Sequence, residues 1–399
     1  MRMKDSIAVR TSLLIALVVT VSITSGRLHA DVQDTGTCGG VTVTLPFTDV
    51  MGSQFFCQIA EAYFSGLTNG TSGTTYSPGN NVTRDQMAAF ITRTLDQSLK
   101  RGSSRGALDQ WAIPISVPFT AKTTVGNIPY AVKSDGEDLW VANNGSGTVS
   151  RVHASDGKLL QTWTGATDAI SVLVARGRVF VVGNSNPGTI YVIDPAQPAG
   201  AVTLLTNTLP ASPVVIAFDG FNLWVPSLFP AFVSKVNPNT GAVTSFSGFA
   251  SPFGVIYDGS NIWITEEVPA GKLKKLDSNG NVLQTVNVGS LPHFPIYDGT
   301  NIWVPNSSDN TVTVVRVSTG AVLATLNNNG LNSPSQAAFD GERILITNGS
   351  GDSVSVWKAA DLTALGSFSG ATNVRGACSD GLSFWLTLDD GTPGHLVRF

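Results

Sequence analysis

Between residues 253 and 289 the apolar residues come in four short runs rather than along one helical stripe. The runs are FGVIYDG, NIWITEE, KLKKLDSNG and NVLQTVNVG, rich in β-branched and aromatic side chains and punctuated by Gly, Asn, Asp and Ser. Short runs of this kind bounded by turn formers predict antiparallel strands. Asp258-Gly259 lies between the first two runs and Asn279-Gly280 ends the third. Both dipeptides mark tight turns, because their residues tolerate positive φ.

The same pattern recurs along most of the chain. Asp-Gly stands at 135–136, 219–220, 258–259, 298–299, 340–341 and 380–381, and Arg176-Gly177 fills the gap with a degenerate copy. Successive steps are 41, 43, 39, 40, 42 and 40 residues. Five residues after the Asp comes Trp140, Trp224, Trp263, Trp303 or Trp385, with Leu345 in one copy. Six residues before it comes Pro129, Pro213, Pro252, Pro292 or Pro334. A sustained period near forty, with four strands per period and no helical stretch between them, predicts a β-propeller of seven blades. The last copy stops at Phe399 one strand short, while ISVPFTAKTTVG at 115–126 resembles a fourth strand placed before the first copy. The N-terminal strand is therefore expected to complete the last blade and close the ring, removing open edges.

The repeats resemble those of YVTN-type seven-bladed propellers, TVTVVRVSTGAVLATL at 311–326 being close to that form, and the resemblance covers roughly 115–399. Such rings host many unrelated functions, so the site must be argued separately. The start of the first strand and the end of the second share one face of each blade. Blade-to-blade variation concentrates there, which marks that face as the candidate ligand surface. Its candidates are Tyr130, Asn143, Phe253, Glu266, His293, Asn306, Asn348, Arg375 and Asp389. A rim of aromatic, amide and charged groups suits an unknown protein or glycan ligand. The repeat form is also similar to that of streptogramin lyases, which implies an alternative, a metal-dependent lyase or hydrolase centred on His293. Asn306 stands where that alternative wants a carboxylate, and the nearest acids, Glu266 and Glu267, lie one blade back. Only three histidines follow residue 30, and His153 and His395 fall in third strands away from this face. No enzyme, catalytic residue, metal or cofactor is therefore expected.

Residues 45–101 depart from the forty-residue period. In SQFFCQIAEAYFSGLTNG, Phe56, Ile59, Ala60, Tyr63 and Phe64 share a helical face, with Ser53 as N-cap and Gly66 as stop. After a turn-rich loop, Thr83 and Gln86 form a capping box ahead of a stripe of Met87, Phe90, Ile91 and Leu95. Phe47-Thr48-Asp49-Val50, Gly66-Leu67-Thr68 with Gly70, Tyr76-Ser77-Pro78 and Val82–Ala88 fall in the order of an S-layer homology domain, which this module resembles. That resemblance implies non-covalent binding of cell-wall polysaccharide or peptidoglycan through Arg84, with Thr83 as cap and second contact. Asp85-Gln86 replaces the Ala-Glu of that family, and one copy is present where three are usual.

The rest of the chain bounds the setting. Arg2, Lys4 and Arg10 precede an apolar run from Leu13 to Ile23 and a small-residue end at Ala30, which predicts a secretory leader over 1–30. No later stretch is long and apolar enough to span a membrane. Residues 31–44 read as an N-terminal strap and 102–114 as a linker, with the propeller over 115–399. Net charge is −4 overall and near −7 after residue 30, with charged residues at 13%. A weakly acidic chain without a basic stripe argues against nucleic acid as partner. Export allows a disulfide between Cys38 and Cys57, leaving Cys378 over. The expected protein is exported and sits in the cell envelope, at the surface or in the periplasm, anchored by its module and presenting its propeller. The second alternative is a purely structural surface-layer component.

Overall fold

The computed structural model describes residues 33–38, 41–64, 67–102, 119 and 122–399. The leader expected over 1–30, Gly66 and the linker beyond Gly102 lie outside these residues. The chain divides into two compact units, Met1–Phe90 and Ile91–Phe399.

In the first unit the segment expected as a strap is a hairpin, β1 (Thr35–Cys38) on β2 (Val41–Thr44). A Cys38–Cys57 disulfide, Cα–Cα 5.5 Å, ties β1 to helix α1 (Phe56–Phe64). Leu45, Phe47 and Val50 pack with Phe56, Ile59 and Ala60 of α1, the face that helical spacing predicts. Two buried or turn-forming acids organise the loops. The Asp34 carboxylate accepts from the Val50 and Met51 amides at 2.6 and 2.7 Å, and Asp49 accepts from those of Tyr76 and Ser77 at 2.9 and 2.7 Å. The second helix, α2 (Arg84–Gly102), behaves differently from its sequence pattern. Met87 and Ile91 are 48% and 62% exposed, so two members of the apolar stripe face solvent, while Phe90 is half-buried. The small core is already filled by α1 and the loop aromatics, and amphipathic spacing alone does not create a partner.

The second unit is mainly β, a propeller of seven four-stranded antiparallel blades. Blade one runs Pro129–Ser134, Asp138–Asn143, Thr148–His153 and Leu159–Thr164, and blades two to six repeat the order. Blade seven takes Val374–Ser379, Phe384–Leu388 and His395–Arg398 from the C-terminus and its outer strand, β3 (Lys122–Thr124), from the N-terminal side. Lys122, Thr123 and Thr124 pair with Val397, Leu396 and His395. The expected closure is thus observed, on three residues of the 115–126 segment.

Each recurrent Asp has two jobs. Asp298 Oδ1 accepts from the Thr300 and Asn301 amides, and its Oδ2 accepts from Trp303 Nε1 at 2.7 Å. The same bond joins Trp140 to Asp135, Trp224 to Asp219, Trp263 to Asp258 and Trp385 to Asp380 at 2.7 to 2.8 Å. In blade six, which lacks the Trp, Arg343 Nε donates to Asp340 instead. The five indoles are buried, and the turn glycines take positive φ, Gly299 at 94° for instance. A second repeated feature sits at the opposite face. Ile128, Asp168, Ser212, Ser251, Leu291, Ser333 and Asn373, just before each inner strand, all lie between φ 48° and 56°. Five of these precede proline, where β or polyproline backbone is the norm, so the fold imposes this bend against local preference.

Candidate functional site

The inner strands of all seven blades enclose a channel of about 380 Å³. Its lining is largely aliphatic, with Tyr130, Ser171, Tyr257 and Gln336 as polar points. Lys133 is its charged residue among the described lining positions. Burial, the dominant effect, pulls the Lys133 ammonium below its usual range, with the Cys378 thiol opposing it.

At the face where the inner strands begin, the nine candidate residues part into two sets. Asn143, Asn306, Asn348 and Glu266 are buried, which corrects their placement on an open rim. Each amide is used inside its own blade, tying the end of the second strand to the start of the third. Asn143 Nδ2 donates to Thr148 and Ser150, Asn306 to Thr311 and Thr313, and Asn348 to Ser353 and Ser355, all at 2.9 to 3.1 Å. The signal was present in the sequence as Ser or Thr five and seven residues after the Asn. Glu266 accepts from Lys274 Nζ and from the Ala250 amide, both at 2.7 Å. A carboxylate buried in this way needs both partners, because a buried polar group left without them is costly.

Tyr130, Phe253, His293, Arg375 and Asp389 do reach the face, in two clusters. Arg375 sits 5.8 Å over the Tyr130 ring and donates to Asp389 at 3.0 Å. Across the mouth, His293 packs on Phe253 with ring centres 4.9 Å apart, and Phe253 packs on Phe294 at 4.8 Å. His293 also makes polar contacts that the sequence did not reveal. Its Nε2 lies 3.0 Å from Glu267 Oε1 and 3.2 Å from Ser307 Oγ, and its Nδ1 lies 3.1 Å from Ser335 Oγ. His293 and Glu267 are 18% and 25% exposed, so the pair is reachable from solvent. Among the described residues no group of three or more His, Cys, Asp or Glu could hold a metal ion. His153 pairs with Asp156 and His395 with Asp390, both outside this cluster.

In the first unit, the capping box at α2 is formed. Gln86 Oε1 accepts from the Thr83 amide at 3.0 Å, and Thr83 Oγ1 accepts from the Gln86 amide at 3.4 Å. The Thr83 hydroxyl donates to Asp85, and this bond is the main cause holding the Asp85 carboxyl below its usual range. Thr83 is thus engaged within the cap. Arg84, at the first helical position, is exposed, and its guanidinium makes no hydrogen bond within the described residues.

Residues 46–88 match the S-layer homology domain, which associates the chain with the cell envelope. The propeller overlays on virginiamycin B lyase from Staphylococcus aureus with a TM-score of 0.59 at 14% identity, covering 70% of this chain and 98% of that one. It overlays comparably on hydrazine synthase from Kuenenia stuttgartiensis, with TM-score 0.58, 14% identity and coverage of 72% and 99%. The WD40 propeller domain of Doa1 gives TM-score 0.57, 12% identity and coverage of 71% and 96%. At these identities the likeness shows the fold alone. No curated protein matches the chain in sequence. Among the described residues no helix is long and apolar enough to cross a membrane.

Proposed function

We propose that this is an exported envelope protein, held on cell-wall polysaccharide or peptidoglycan through residues 45–101. Its propeller, residues 115–399, presents a binding face to a protein or glycan ligand. The observation that carries the reading is the S-layer homology match over 46–88, with Arg84 exposed at the start of α2. A guanidinium beside a helix N-terminus suits a carboxylate or ketal-acid group on an anionic polymer. Thr83 serves chiefly by building the cap that holds this end of the helix. The ligand surface comprises Tyr130, Phe253, His293, Arg375 and Asp389, where half-buried rings lie beside charged groups. Aromatic faces flanked by hydrogen-bonding groups are well suited to sugars and peptides.

The test is co-sedimentation of the chain from residue 31 onward with purified cell-wall sacculi. The parent protein pellets, Arg84→Ala stays in the supernatant, and Arg375→Ala, a propeller variant, pellets like the parent. Equal pelleting of the parent and Arg84→Ala would remove Arg84 from the contact. A soluble parent would remove the anchoring reading itself.

A further inference from the structure

We propose that Ser335, His293 and Glu267 form a serine-nucleophile site on the propeller face, one that hydrolyses esters of small acyl groups. Three consecutive blades supply the parts. Glu267 follows the second strand of blade four, His293 precedes the inner strand of blade five, and Ser335 is the second residue of the inner strand of blade six. Ser335 Oγ lies 3.1 Å from His293 Nδ1, and Glu267 Oε1 lies 3.0 Å from His293 Nε2. A nucleophile within hydrogen-bond reach of a base, with the base held by a third group, is the arrangement nucleophilic catalysis requires.

The hydrogen-bond network also assigns the proton. A carboxylate only accepts, so Glu267 calls for a proton on Nε2. Ser307 agrees independently. Its hydroxyl hydrogen goes to the Leu291 carbonyl at 3.1 Å, so only lone pairs remain to face Nε2. In the neutral ring a proton on Nε2 leaves Nδ1 bare, and the Ser335 hydroxyl is then the donor to it. This is the tautomer in which imidazole can take the serine proton. Ser307 touches the same ring but has committed its hydrogen, so it supports rather than attacks.

The surroundings hold the parts in place. Phe253 and Phe294 pack against the imidazole, with ring centres at 4.9 and 6.1 Å. The Phe294 amide donates to the Ser335 carbonyl at 3.1 Å, and the amide of Gln336 donates to Thr347 Oγ1 at 3.0 Å. The peptide group that follows the Ser335 Cα is therefore held at both its carbonyl and its amide. The two phenyl rings give an apolar wall for an acyl group next to the hydroxyl, which favours small apolar acyl esters over charged ones.

In the first step Ser335 Oγ adds to the ester carbonyl carbon as its proton passes to Nδ1. The adduct collapses with cleavage of the carbon–oxygen bond to the alcohol, which takes the proton from Nδ1 and departs. Water then loses a proton to Nδ1 and attacks the acyl carbon. The Ser335 oxygen leaves and recovers its proton, so ester and water give acid and alcohol. Glu267 stays a carboxylate throughout and balances the transient imidazolium.

The experiment treats the chain from residue 31 onward with a fluorophosphonate probe, maps the modified residue by mass spectrometry and follows p-nitrophenyl acetate hydrolysis. The expected result is a single adduct on Ser335. Ser335→Ala should abolish labelling and lower the hydrolysis rate on the order of 100-fold or more. Glu267→Gln should lower kcat with little change in KM and move the acidic limb of the pH–rate profile to lower pH, which a merely structural loss would not do. Absence of an adduct on Ser335 in the unaltered protein overturns the proposal without reliance on any variant. Hydrolysis that Ser335→Ala leaves unchanged overturns it as well.

Discussion

Asp298 shows how much one side chain does in this fold. A single carboxylate satisfies two turn amides and an indole N–H, the second amide and the indole being partly withdrawn from water. Charged acceptors strengthen such bonds, and buried donors left without a partner are costly. Asp298→Ala should therefore destabilise the propeller by about 2–4 kcal/mol, read as a lower urea midpoint at unchanged slope. Asp298→Asn should cost less, since its carbonyl oxygen can keep part of the turn. The pairing of Asp with Trp five residues on was legible in the sequence as a repeat. Its hydrogen bond was not, because an acid in a turn and an aromatic in a strand each have a sufficient local reason to be there. Asn143, Asn306 and Asn348 carry the opposite lesson. Polar residues at strand ends suggest exposure, yet the next strand offers each amide two hydroxyls, and burial follows.

At the scale of elements, closure depends on the three residues of β3. Lys122 Nζ and His395 Nδ1 both reach Asp390, each at 2.6 Å, so one acid joins the N-terminal strand to the C-terminal one. Burial raises the Asp390 pKa, but the bonds from Lys122 and His395 outweigh it and hold the carboxyl below its usual range. A depressed pKa means that Asp390 contributes stability above its unfolded value near 4, lost as pH falls through the lower folded value. The clasp should therefore survive mild acid. Thr123→Pro removes an amide from the middle of the β3 ladder, and proline in such a position is poorly tolerated. The expected result is a lower Tm together with concentration-dependent aggregation in light scattering, because blade seven then exposes an unpaired edge. An unchanged Tm would show that the closing strand is dispensable. Helix α2 marks where pattern reading fell short. Its 3.6-residue spacing correctly predicted a helix, whereas burial of Met87 and Ile91 needed a partner surface that periodicity cannot supply.

At the scale of the whole molecule, ring closure brings the first and last blades together, and with them Lys133 and Cys378. Burial pushes the Cys378 thiol up to about 12, with Lys133 opposing it, while burial draws the Lys133 ammonium down. The signs are opposite. For Cys378 the raised folded pKa gives stability present below pH 9 and lost as pH rises towards 12. For Lys133 the buried charge destabilises below its depressed pKa, and that cost lifts as pH rises towards the unfolded value near 10.5. Compared with the parent between pH 8.5 and 10.5, Cys378→Ala should gain stability with rising pH and Lys133→Met should lose it. Chemical denaturation across that range measures both. Parallel pH profiles for the parent and both variants would show that neither group titrates differently on folding.

The sequence by itself determined the repeat, the blade count, the turn chemistry, the closing strand and the capping box at Arg84. Each of these rests on residues within one blade-length of each other, or on counting the copies of the repeat and finding the last one a strand short. The partners of His293 lay beyond that reach. Glu267 is 26 residues before it and Ser335 is 42 after, in neighbouring blades; Ser335 holds the same place after the recurrent proline as His293, but nothing in the repeat pairs the two or brings Glu267 to them. Only the tertiary structure decided that they meet, because inner strands of successive blades lie side by side around the ring. The same packing decided which polar strand ends reach solvent and which are taken up by the next strand, since burial is set by neighbours that no local pattern encodes.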